Sequence, residues 1–175
     1  IGSGLGGVIN IKRGHYEFDM KGQEGACIGS VNGDSELFIE YCDMDIYSGI
    51  SNGTIIGSVN GDADIKLENI SAKLQGAGNI ITGIGTIAGN SCMVRLENVN
   101  ISSNIRAKEC YGIGCRAGRT NIYIGYAAVK SVVQGKAAVA FGNSIMSAKL
   151  YCSNADIGTN AVTEFNSDIG ALEKN

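Results

Sequence analysis

The sequence predicts an all-β fold, a single-stranded parallel β-solenoid of about six coils of ~28 residues. Three observations carry this. Ile-Gly recurs at Ile1-Gly2, Ile28-Gly29, Ile56-Gly57, Ile84-Gly85, Ile113-Gly114 and Ile169-Gly170, with Phe141-Gly142 in the one remaining place. The glycines are separated by 27, 28, 28, 29, 28 and 28 residues. Each early copy is followed by a short run with an apolar residue at every second position, the mark of a strand with one buried face. The chain also holds Gly 26 and Pro 0. Many glycines suit repeated tight turns, and absent proline suits a body in which most backbone N–H groups join a ladder.

The elements follow in order. The first unit, containing Arg13-Gly14-His15-Tyr16-Glu17-Phe18, is one residue shorter than the next. The second and third begin with the same phrase, Ile28-Gly29-Ser30-Val31-Asn32-Gly33-Asp34 and Ile56-Gly57-Ser58-Val59-Asn60-Gly61-Asp62. Asn-Gly-Asp is turn chemistry, and the strands Glu36–Glu40 and Asp64–Glu68 follow it. The fourth and fifth copies loosen to Ile84-Gly85-Thr86-Ile87-Ala88-Gly89-Asn90 and Ile113-Gly114-Cys115-Arg116-Ala117-Gly118-Arg119. Later units lose the Asn-Gly-Asp turn but keep alternation through Leu150 and Cys152. The inward set is Ile28, Leu37, Ile39, Cys42 and Ile46, superposing on Ile56, Ile65, Leu67, Ile70 and Leu74. Equal positions in stacked coils form continuous interior columns, one of them Ile39, Leu67, Leu96 and Ile124. A helical repeat is excluded by Gly-Ser-Val-Asn-Gly-Asp in mid-unit.

Composition narrows the function classes. Charged residues are 18% and the net charge is −3, which gives no electrostatic reason to expect nucleic acid, a partner that wants a basic face. The longest apolar runs, such as Ala137–Phe141, are far too short to cross a bilayer. Residues 1–175 are read as one repeat array. It is expected to be an excerpt that continues into further repeats or domains, because an open solenoid end is an unpaired sheet edge.

Asp34 and Asp62 follow Asn-Gly one coil apart and are candidate calcium ligands, although ordinary turn bonding is the preferred role. No cofactor is expected. Glu40 and Glu68 are in register with Glu97 one residue off, and read as a solvated row that discourages sheet association rather than a glycosidase pair. Asn69, Asn98 and Asn154 occupy nearly equivalent places, with Tyr41 and Tyr126 aligned to them, as in a corner ladder. The sole histidine, His15, has no Gly-x-Ser-x-Gly elbow to serve, and no catalytic residue is assigned. The six cysteines include no Cys-x-x-Cys pair and none stacked at the repeat spacing; Cys110 and Cys115 are close enough in sequence to close a loop. The aromatics Tyr111, Tyr123, Tyr126 and Tyr151 fall in the later coils and are expected to be exposed. Tyr123, Tyr126 and Tyr151 are the candidate ligand-binding residues, since tyrosine offers a flat apolar face and a hydroxyl. Thr54, Thr82, Thr86 and Thr120 hold no common register, so they do not supply the regular outward row that an ice- or mineral-binding face requires.

Ile28-Gly29, Gly33, Leu37, Ile39 and their equivalents resemble the glycine-rich β-helical repeats of large bacterial surface and secreted proteins, described as adhesin-like or carbohydrate-binding-like. The resemblance covers nearly the whole chain. It implies an extracellular or cell-surface structural and adhesive segment, with a glycan or a host or cell-surface protein as partner and no enzyme activity. The alternative is a carbohydrate-active or carbohydrate-binding β-helix with a shallow lateral site. That alternative calls for two outward carboxylates flanked by a basic residue and aromatics in one groove.

Overall fold

The computed structural model describes residues 1–144, 146–162 and 165–171, the last stretch as backbone alone. It is an all-β solenoid of parallel coils with no helix in the described residues. The strands are β1 (Gly2–Ser3), β2 (Gly7–Asn32), β3 (Ser35–Asn60), β4 (Ala63–Gln134), β5 (Ala137–Asn143), β6 (Ala148–Val162) and β7 (Phe165–Ala171). The 72 residues of β4 would span about 240 Å if straight, so β4 winds through more than two coils, turning corners without leaving the ladder. All pairings between strands are parallel, running β1-β2-β3-β4-β5-β7 with β6 also on β4. The register follows the sequence repeat, with Ile28 opposite Ile56, Ile56 opposite Ile84, and Ile113 opposite Phe141.

The interior columns are those expected. Leu37, Ile65, Val94 and Ile122 form one; Ile39, Leu67, Leu96 and Ile124 form the next, and all are buried. Cys42, Ile70, Val99 and Ala127 continue the core beyond the corner.

Two kinds of backbone event shape each coil. The first is a corner where a single residue turns left-handed. Arg13, Tyr41, Asn69, Asn98, Tyr126 and Asn154 all have φ between +47° and +58°. Asparagine tolerates this conformation through local side-chain bonding, and Asn98 Nδ2 donates to Asn69 Oδ1 at 2.6 Å. Arginine and tyrosine gain no such bond, and Arg13 instead lies over the Tyr41 ring, 5.9 Å from its centroid.

The second is the Ile-Gly step. Gly29, Gly57, Gly85, Gly114 and Gly142 have φ between +128° and +140°. The chain folds back on itself there. Glu109 and Arg116 flank Ile113-Gly114, and Arg116 Nε donates to Glu109 Oε2 at 2.6 Å. Seven residues of straight strand would separate those positions by about 23 Å, beyond the reach of the two side chains. The bend brings residues on both banks together and buries them. Thr54, Val59, Thr82 and Tyr111 are all sealed from solvent.

A polar column lies beneath the turn that follows. Ser30, Ser58, Thr86, Cys115 and Asn143 stack in the five consecutive coils and are buried. Ser30 Oγ and Ser58 Oγ donate to the Gly33 carbonyl at 2.7 and 2.9 Å, and Thr86 Oγ1 donates to that of Gly61 at 2.7 Å. Cys115 Sγ and Asn143 Nδ2 reach the Gly118 carbonyl. The turn carbonyls thereby gain hydrogen-bond donors from inside the coil. In the last of these coils Asn143 also accepts from Met146 N and donates to the Ser147 carbonyl, holding a turn that has no Asn-Gly-Asp.

Candidate functional site

The outward face of the wall between the turn and the left-handed corner carries the candidate site. Two outward rows run along it. Asn10, Phe38 and Lys66 stack in one, and Lys12, Glu40 and Glu68 in the next. Further along the rod Tyr123 pairs with Tyr151, and Gly125 with Ser153.

Glu97 belongs to the carboxylate row, although its number is one beyond the 28-residue step. The corner residues Asn69 and Asn98 are 29 apart, and Glu68 and Glu97 immediately precede them. The extra residue is absorbed in the preceding turn. There Asp62 Oδ1 accepts from both Asn90 N (2.6 Å) and Ser91 N (3.0 Å). In the tighter turn below, Asp34 Oδ1 accepts from Asp62 N alone, at 2.9 Å.

These rows enclose a depression of about 670 Å³, lined among others by Lys66, Glu68, Arg95, Glu97, Tyr123 and Tyr151. Its floor includes Gly125. A Cβ there would lie 2.3 Å from Glu97 Oε2, so the missing side chain is what lets the Glu97 carboxylate lie down in the groove. The Tyr123 and Tyr151 rings are stacked, 4.7 Å between centroids and 6° between planes. That separation is the spacing of adjacent strands, so the ladder itself sets the rings face to face. Both are partly exposed, at 39% and 46%. Together they form a flat apolar platform with hydroxyls at its rim.

Charges around the platform are mostly paired. Lys66 Nζ lies 2.6 Å from Glu68 Oε2, and this bond holds the ammonium above its ordinary pKa. Arg95 is bonded to Asp64 and to the Met93 sulfur. Among the described residues Glu97 has no hydrogen-bond or ion-pair partner. The arrangement offers stacking surface, a free carboxylate as acceptor, and two anchored cations as donors.

The sequence candidates distribute as follows. Tyr123 and Tyr151 line the groove, while Tyr126 stands exposed on the adjacent left-handed corner beside Gly125. Tyr111, expected to be exposed, is 1% exposed: the bend at Ile113-Gly114 folds its ring against the far bank, where its hydroxyl donates to Ser144 Oγ at 3.0 Å. Burial pushes its pKa up to about 12. Asp34 and Asp62 each spend an oxygen on the next coil's backbone, and no group of three or more His, Cys, Asp or Glu among the described residues is placed to hold a metal ion. His15 lies on another wall, exposed, with Nε2 3.2 Å from Glu17 Oε1. Thr54 and Thr82 do share a register, yet both are buried in the Ile-Gly bend and present no outward row. All six cysteines are free thiols, Cys110 and Cys115 included, and Cys152 alone is exposed.

Lys66 and Arg95 escape sequence reasoning because each reads singly as a solvated strand residue, and Glu68 and Glu97 because their row reads as a solvated face. The signal that joins them is the one-residue correction to the repeat at Ser91. Compared with known proteins, the chain matches no family model, no curated protein and no solved structure. No helix among the described residues is long and apolar enough to cross a membrane.

Proposed function

We propose that this chain is a rigid structural and adhesive segment of a bacterial surface or secreted protein, and that it holds a glycan chain in the lateral groove without turning it over. The observation that carries the reading is the stacked pair Tyr123 and Tyr151 in an open depression. Sugar rings have flat C–H faces that pack on aromatic rings, and their hydroxyls pair with carboxylate and cation at the rim. The groove runs along several coils, so contacts that are weak singly add along a polymer. Continuous in-register pairing supports the rod-like role.

The test is a glycan array with the purified 175-residue chain, in parallel with a Tyr123→Ala/Tyr151→Ala variant. Binding that falls at least tenfold in the variant supports the reading. Binding that survives, or a native chain that binds no glycan, contradicts it.

One arrangement favours a second reading, a carbohydrate-active enzyme. Glu68 and Glu97 are outward carboxylates in one groove with Arg95 and two aromatics. Glycoside hydrolysis requires one such carboxyl to donate a proton. Glu68 is already taken up by Lys66, which supports binding over turnover. Release of reducing ends that stops in Glu68→Gln or Glu97→Gln decides for the enzyme.

A further inference from the structure

Resting on the groove reading, we infer that the glycan bound here carries free amino groups, as in an N-deacetylated hexosamine polymer, and that Glu97 selects for them. The chain has built one unpaired negative charge into the site. Lys66 is used by Glu68 and Arg95 by Asp64, leaving Glu97 without a counter-charge among the described residues. Gly125 is the space that carboxylate occupies: any side chain there would push Glu97 Oε2 out, since a Cβ would sit 2.3 Å away. The rows above and below are not glycine; Glu40, Glu68 and Ser153 hold the equivalent places.

A neutral sugar platform needs no such charge. A cationic ring substituent does, and its ammonium would both bond Glu97 and gain charge assistance over a neutral amide. A polyanionic glycan would meet Glu97 and Glu68 as like charges. The Glu97 carboxylate lies over Gly125, two residues along the strand from Tyr123 and on the same face, about 7 Å from the stacking position.

The experiment measures affinity of the 175-residue chain for β-linked glucosamine oligomers against length-matched N-acetylated oligomers, at low salt and at a pH where the ring amines are protonated. The free-amine form is expected to bind about tenfold tighter, in line with one charge-assisted bond. Glu97→Gln should reduce that preference to within about threefold while binding of the acetylated oligomer is kept. Gly125→Ala should do the same, although it leaves the net charge unchanged, because it displaces the carboxylate. Equal affinity of the native chain for the two oligomers, or a preference that persists in both variants, overturns the selection by Glu97 and leaves the groove standing. Binding of neither oligomer overturns the groove reading as well.

Discussion

A Cβ placed on Gly57 would lie 1.8 Å from the carbonyl oxygen of Gly85 on the next coil. Gly29, Gly85 and Gly114 stand to their successors in the same way, at 1.7, 1.7 and 1.9 Å. The backbone at these glycines is also in the left-handed half of conformational space, where a side chain is strained whatever the room. The recurrence of Ile-Gly is thus a double steric demand, renewed at every coil.

Gly57→Ala should therefore destabilise the chain severely, by at least ~3 kcal/mol, since neither the backbone carbonyl nor the φ angle can yield cheaply. Gly22→Ala is the control, as a Cβ there meets nothing within 4 Å. Denaturant midpoints of the two variants check this. A Gly57→Ala chain as stable as Gly22→Ala contradicts the bend.

Leu67 lies between Ile39 and Leu96 in a continuous buried column. Leu67→Ala should cost about 2–5 kcal/mol, and Leu67→Asp should prevent folding by burying an unpaired charge. Circular dichroism and urea melts measure both. A cooperatively melting Leu67→Asp variant would mean that the column is out of register.

Alkaline pH should unfold the chain. Burial pushes the thiols of Cys110 and Cys115 up to about 11, and the Tyr111 phenol to about 12. Groups whose folded pKa is raised keep their proton in the native state after the unfolded chain has lost it. Stability should be level below the ordinary thiol pKa of about 9 and fall as pH rises towards 12. Each thiol contributes at most about 3 kcal/mol to that fall. Urea melts between pH 7 and 11 test it; a midpoint flat to pH 11 contradicts these burials.

Cys152 is the one exposed thiol; it continues the inward column after Ile124, on the last coil whose side chains are described. A thiol reagent should label one cysteine of the native chain rapidly and all six only after denaturation. Rapid labelling of a second cysteine in the native chain would contradict the burial of the other five.

The columns were legible because burial on one face of a strand writes itself as alternation, and stacking writes itself as a period. Ile39 and Leu67 carried both signals. Ser30, Ser58 and Thr86 carried the period but point inward as polar residues, and polarity alone reads as surface; only the turn carbonyl they satisfy explains them. Tyr111 was misread because an aromatic in an irregular coil resembles an exposed one until the Gly114 bend folds the wall over it. Glu97 reads as one residue off its row because the extra residue at the turn shifts numbering without shifting the stack. Tyr123 and Tyr151 were legible as candidates, but their face-to-face contact depends on a ladder spacing that no single repeat displays.

The proposed seat of the glycan is the stacked pair Tyr123 and Tyr151. The most direct measurement follows the ring resonances of individually assigned tyrosines by NMR during titration with a hexosamine oligomer. Saturable shifts are expected at Tyr123 and Tyr151, with Tyr41 and Tyr47, exposed on other parts of the coil, unmoved. Shifts centred on Tyr41 or Tyr47, or none at Tyr123 and Tyr151 while the oligomer is bound, would contradict it.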